Sequence, residues 1–215
     1  MPQELAALRY ARHLQPFTGG LAQDEDYTHI HLDGTEHDDA QTSGAQFSES
    51  ALTGVTFTGG DFRQVRFSDT WIARTRWIGA NWAATELLDV TLLDGLLAGV
   101  QAYGGSWRRV TLQRCKIDSL NLRGTRLQDV EFRDCDLTET DFSGTTLIGV
   151  TFPGSSLHRA RFTKVTAKKL DLRGARELDI ADGWESLRGA VIDHGQLAQA
   201  APALAHNLGI IVRDQ

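Results

Sequence analysis

The amino-acid sequence predicts an all-β solenoid with four sides to each coil, and three observations carry that prediction. The first is a five-residue period. Every fifth residue from Phe47 to Leu172 is Phe, Leu, Ile or Trp at 24 of 26 positions, without an insertion, and eight of the nine phenylalanines in the chain fall in this series. The second is a companion series two residues earlier, from Ala45 to Leu170, in which 24 of 26 members are Gly, Ala, Ser, Cys, Thr or Val. The third is a slower modulation: Gly59, Gly79 and Gly99, then Gly104, Gly124 and Gly144, then Asp69, Asp89 and Asp129, and the only cysteines, Cys115 and Cys135, all recur at multiples of 20. Self-similarity at a fixed period is the signature of a repeat architecture.

Each five-residue unit reads as one side and one corner. A small and a large residue two apart point the same way along an extended segment, because side chains alternate across a strand. Between them lies an outward residue that is often polar, as at Asp61, Asn81, Asn121, Asp136, Asp141 and Asp171. The remaining two positions are rich in Gly, Asp, Ser and Arg, which suits a tight turn. Four sides per coil place Ala102 between Trp82 and Leu122, so a small residue relieves an oversized ring in a core that tolerates neither voids nor overlap.

Thr140-Asp141-Phe142-Ser143-Gly144 and Leu170-Asp171-Leu172-Arg173-Gly174 are close instances of the motif A(D/N)LXX. The chain therefore resembles the pentapeptide repeat family over residues 45–174, with a degenerate coil over 25–44 in the same register. The resemblance implies a right-handed quadrilateral β-helix. About seven coils at about 4.8 Å each would give a rod of about 35 Å.

A solenoid exposes its core at both ends and needs caps. Residues 1–24 are expected to supply one: positions 2–13 read as a short helix, with Leu5, Leu8 and Leu14 at helical spacing and Glu4 in its first turn. Residues 175–215 are expected to supply the other. Asp193 can cap a helix that carries Leu197, Ala201, Leu204 and Leu208, with Gly209 to end it. Pro202 should kink that helix or start a second one. The stripe either covers the last coil or pairs with a second copy, and gyrase-directed members of the family are similar in dimerising through a C-terminal helical module.

Composition narrows the function classes. The first residues carry Glu4, Arg9 and Arg12 where a secretion signal needs an apolar run, and no segment approaches the length of a membrane span. Two cysteines, inward and one coil apart, read as stacked core thiols in a protein of the reducing cytoplasm. His29, His31 and His37 lie among Asp24, Glu25, Asp26, Asp33, Glu36, Asp38 and Asp39 without regular ligand spacing, so they read as a solvated acidic cap and no metal is called. His158, His194 and His206 stand isolated, and no Ser or Cys sits beside a general base. A catalytic site and a cofactor are not expected.

Apolar residues at outward or corner positions have no core to enter. Trp71, Ile78, Leu88, Leu93, Leu96 and Tyr103 fall within about two coils, with Trp71, Ile78, Leu93 and Leu96 on two adjacent sides. They are read as a partner or dimer surface, or alternatively as local packing around the nearby inward tryptophans.

Charge weighs on the partner. The net −6 divides into −6 over residues 1–44, +3 over 45–174 and −3 over 175–215. The coil body is not acidic, which weakens imitation of DNA as a mechanism. Direct nucleic-acid binding is not expected, because Arg108, Arg109, Arg126, Lys168 and Lys169 share a side with Glu49, Asp69, Glu86, Asp89 and Asp129. Two readings stand. By resemblance to its quinolone-resistance branch, the protein binds DNA gyrase or topoisomerase IV; alternatively it is a scaffold for some other protein.

Overall fold

Strands in this chain are mostly three residues long, too short to be stable unless each is paired on both edges. The corners make that possible. In the computed structural model, which describes residues 4–213, every fifth residue from Asp24 to Gly174 has φ between 45° and 82°. One left-handed residue per unit swings the chain onto the next wall, and none of these corners holds Val, Ile or Thr, whose branched side chains fit that region worst.

The result is four walls of parallel rungs. The first wall runs from Asp26–Thr28 to Thr166–Lys168. The second begins with Gln15–Pro16 and Ile30–Asp33 and continues through Ala51–Thr53, Trp71–Ala73 and Thr91–Leu93. The third is an 8-stranded sheet from Glu36–Asp38 to Glu177–Asp182. The fourth is held by single bridges that join Gln41, Asp61, Asn81, Gln101, Asn121, Asp141 and Arg161 in order. Register advances by 20 residues from rung to rung, as at Leu87↔Trp107 and Leu92↔Leu112.

Inside, the large residues stack in columns. Tyr27, Phe47 and Phe67 lie at centroid separations of 4.8 and 4.9 Å, and Phe132 lies over Phe152 at 5.2 Å and 5°. These are the separations of neighbouring strands, so the backbone ladder sets the ring spacing. Small inward residues have their own pattern. Hydroxyls of Ser50, Thr70, Thr125, Thr145 and Ser155 donate to carbonyls 23 residues earlier, those of Tyr27, Phe47, Ala102, Leu122 and Phe132. Cys115 and Cys135 take the same role toward Leu92 and Leu112, both as buried free thiols, and the neighbouring Cys135 thiol together with burial holds Cys115 protonated. The inward Ser, Thr and Cys are therefore part of the packing.

Ala102 sits on the fourth wall between the rungs of Trp82 and Leu122, and Trp107 leans over from the first wall to 6.5 Å from Trp82. Ala102→Leu is expected to overpack this layer and cost about 1–3 kcal/mol, read as a lower urea midpoint at unchanged slope.

The coil does not stop at Gly174. One extra residue enters on the third wall, so that Leu157 pairs with Leu178, while Asp171 still pairs with Val191 at the regular step, and an irregular last coil follows. Gly183 makes it possible. With φ of 95°, a Cβ there would lie 2.2 Å from the Phe162 carbonyl carbon, in backbone that cannot yield.

Both caps differ from expectation. The N-terminal segment forms two 3-10 turns, Leu5–Ala7 and Ala11–His13, with Leu8 extended between them and no side-chain cap. A helix this short has little stability of its own, and the broken path lets Leu5, Leu8 and Leu14 all reach the second wall. The end itself is covered by Phe17 and Leu21, with Phe17 edge-on to Tyr27. At the other end α1, His194–Asn207, runs through Pro202 as one helix. Asp193 and Gln196 form a capping box, and the Gln196 amide donates to the Leu172 and Ala175 carbonyls at 2.7 and 3.1 Å. The covering stripe is Gln196, Ala200, Ala203 and Leu204, one position round from the expected one, because open carbonyls at the end of a coil need a donor as well as apolar cover.

Candidate interaction surfaces

The outward apolar residues divide between four walls. Trp71 and Leu93 project from the second, Ile78 and Leu96 from the third, Leu88 from the first and Tyr103 from the fourth. Trp71 and Leu93 are not exposed: they keep 5% and 3% of their surface and, with Ala51 and Ala73, form a small second core under Leu5, Leu8 and Leu14. Ile78, Leu88 and Leu96 are half-buried, and Tyr103 is open at 46%. Of the two readings the sequence left open, local packing holds for Trp71 and Leu93, although it is the N-terminal segment and not the inward tryptophans that covers them, along an internal seam.

Beside that seam lies a crease lined by Arg9, Tyr10, Glu49, Asp69, Trp71 and Asp89. The Tyr10 hydroxyl donates to the Ser50 carbonyl at 3.4 Å, and burial with the nearby Asp69 and Glu49 holds it protonated. Burial and the neighbouring Asp89 and Glu49 push the Asp69 carboxyl up. Arg109, one rung further on, holds Asp89 down through paired hydrogen bonds of 2.6 Å.

That pairing is repeated along the rod. Arg66 with Glu86, Arg114 with Asp94 and Arg159 with Glu139 bridge successive coils, and Arg63 with Asp61, Arg133 with Glu131 and Arg173 with Asp171 pair within one. The mixed charge of the first wall is graded lengthwise: Glu49, Asp69, Glu86 and Asp89, with Arg66 among them, precede Arg108, Arg109, Arg126, Lys168 and Lys169, with Asp129 among the latter. No uninterrupted acidic strip runs along the described walls.

Hydrogen bonds from Arg63, Arg109 and Arg173 hold Asp61, Asp89 and Asp171 below the usual carboxylate range, and Ser156 does the same for Glu177. Their contribution to stability is present above about pH 4 and lost as pH falls through the depressed values. Asp69 works in the opposite direction and gains on protonation. Urea midpoints between pH 7 and pH 3 should hold level to about pH 4 and then fall; a midpoint that rises in acid would mean the Asp69 crease outweighs the pairs.

The predicted histidine cap comes apart into separate contacts. His29 meets Glu49 at 2.6 Å, His31 meets the Thr53 hydroxyl at 2.8 Å, and His37 bonds Thr35 and stacks on Phe57. His158, read as isolated, is not: it lies beside Glu177 and Asp179 across the irregular coil. Its partners are invisible to a strict 20-residue count.

Free apolar surface collects at the C-terminal cap. Leu197, Leu208 and Ile210–Val212 are all exposed, Ala201 lies open between the two leucines on α1, and only Leu204 turns inward. Among the described residues no helix is long and apolar enough to cross a membrane.

A sequence model for the pentapeptide repeat region matches residues 96–162, and one for eight copies of pentapeptide repeats matches residues 39–69. The chain is a pentapeptide repeat protein. Solved structures of other pentapeptide repeat proteins are similar at low identity. A trypsin-treated variant of QnrB1, a plasmid-mediated fluoroquinolone resistance protein, is 16% identical over 91% of this chain and 100% of that one, with a TM-score of 0.37. HetL from Nostoc sp. strain PCC 7120, involved in heterocyst differentiation regulation, is 18% identical over 86% of this chain and 94% of its own, with a TM-score of 0.33. A protein of the Arabidopsis thaliana thylakoid lumen is 20% identical over 46% and 69%, with a TM-score of 0.36. No curated protein matches this pentapeptide repeat protein in sequence.

Proposed function

We propose that this pentapeptide repeat protein is a non-enzymatic interaction module that binds another protein through its outer walls and C-terminal cap. The observation that carries this reading is where open surface lies. Columns of Phe, Trp and Leu fill the shaft, while among the described residues every exposed large hydrophobic, Tyr103 apart, belongs to the last coil, α1 or the tail. Exposed apolar groups gathered at one end mark an interface.

The partner to test first is a type II topoisomerase, DNA gyrase or topoisomerase IV, by resemblance to the family's quinolone-resistance branch. Recognition would rest on contacts of shape and apolar surface, because arginines neutralise the carboxylates a DNA mimic would display. Excess protein should alter gyrase supercoiling or its inhibition by a fluoroquinolone; if both are unchanged, the topoisomerase reading falls and an adaptor for another protein replaces it. The same cap favours a homodimer. Light scattering behind size exclusion should then give twice the chain mass, reduced to one chain by Leu208→Asp with Ile211→Asp; a monomeric parent would reject the dimer.

A further inference from the structure

The last coil holds a group of side chains that the interaction reading leaves unused. On the third wall, Ser156–Arg161 and Glu177–Asp182 are adjacent rungs, and the inserted residue shifts their register so that Leu178 rather than residue 177 faces Leu157. Glu177 and Asp179 flank that inward leucine, so alternation points both carboxylates outward. They straddle His158. Its Nδ1 lies 3.4 Å from Glu177 Oε1 and 3.1 Å from Asp179 Oδ2, and one donor atom from each of the three residues lies within 4.8 Å of the others.

We propose that His158, Glu177 and Asp179 bind a divalent transition cation, zinc in the first instance, on the outside of the last coil. Zinc bonds to imidazole nitrogen and carboxylate oxygen are about 2.0–2.2 Å, which separates neighbouring ligand atoms by about 3.0–3.5 Å. The two distances from the imidazole already match. The carboxylate oxygens lie within 4.8 Å of each other and reach ligand spacing by closing at most about 1–2 Å, within reach of a side-chain rotation, and water can complete the shell because all three groups are half exposed.

Both carboxylates are also held by further hydrogen bonds, Glu177 on the oxygen turned away from His158 and Asp179 on the oxygen that faces it, whose remaining lone pair and Oδ1 stay open. The Ser156 hydroxyl donates to Glu177 Oε2 and leaves Oε1 toward the histidine. The Arg159 N–H donates to Asp179 Oδ2 at 3.2 Å, an outward orientation that the left-handed corner at Arg159 provides. The Arg159 guanidinium is turned away to Glu139 at 3.1 Å. Such outer hydrogen bonds orient metal ligands. One nitrogen and two carboxylate oxygens favour zinc, nickel or copper over magnesium or calcium. A bound cation would tie the irregular coil to the regular one beneath it, where the register shifts.

The experiment is a calorimetric titration of the EDTA-treated full chain with zinc chloride at pH 7.5, with thermal unfolding followed in parallel. One zinc per chain and a raised unfolding temperature are expected. His158→Ala should remove the binding, Glu177→Gln and Asp179→Asn should each weaken it by about tenfold or more, and His194→Ala should leave it intact. Circular dichroism on each variant separates loss of the site from loss of the fold. If the parent chain takes up no zinc, or if folded His158→Ala binds as tightly as the parent, the three residues form an ion-pair cluster only and the proposal is overturned.

Discussion

Trp77→Ala should cost about 3–5 kcal/mol, the upper range for removal of a buried aromatic ring. Trp77 has no exposed surface, stacks on Phe57 at 4.1 Å and meets the rings of Trp82 and Phe62 edge-on at 4.6 and 5.1 Å. Its indole N–H also donates to the Thr75 hydroxyl at 3.0 Å, so the substitution strands a buried acceptor. Most cores recover part of such a loss by collapsing. This one is poorly placed to do so, because Arg76–Ile78 is locked by parallel ladders to Thr56–Thr58 on one side and Leu96–Ala98 on the other. Guanidinium unfolding measures the effect, and a loss under about 1 kcal/mol would show that the coil can move inward. Trp77→Phe should recover more than half of the loss.

The second large effect is local. Trp71→Ala removes the ring that the N-terminal segment covers, a burial worth about 2 kcal/mol, which would raise the population of the released segment about 30-fold. Trypsin reports it directly, since Arg9 and Arg12 lie on that segment. Cleavage there should be accelerated by at least about tenfold while the coil remains resistant, because the segment adds no rung to the first, third or fourth wall. An unchanged rate would mean that Tyr10 and the Gln15–Pro16 pairing hold the segment without Trp71. The result also bears on binding. A partner that needs Trp71 and Leu93 must displace Leu5, Leu8 and Leu14 first.

Much of this architecture was legible in the residues because the repeat forces each inward position to repeat its chemistry. Phe132, Phe152 and Leu172 fall in one column, and Ala102 takes the place between Trp82 and Leu122, since a 20-residue step fixes which residues stack. Corner positions were equally readable from Gly, Asp and Arg. Surfaces were not. Whether Trp71 faces water depends on a segment more than 50 residues away in sequence, and its leucines carry no period that points to the second wall. The face of α1 that covers the core was legible only at Leu204, for a related reason: Gln196 is polar, yet it is the residue that satisfies the last open carbonyls.

Periodicity alone determined the shaft, its four walls and the stacking order, because strands of three residues have no stable arrangement except on identical neighbours. Tertiary structure alone decided where the period ends and what lies over the walls. One inserted residue brought Glu177 and Asp179 to His158, and the N-terminal turns closed the Trp71 seam. Contacts of that kind join segments that share no repeat, so no count along the chain can reveal them.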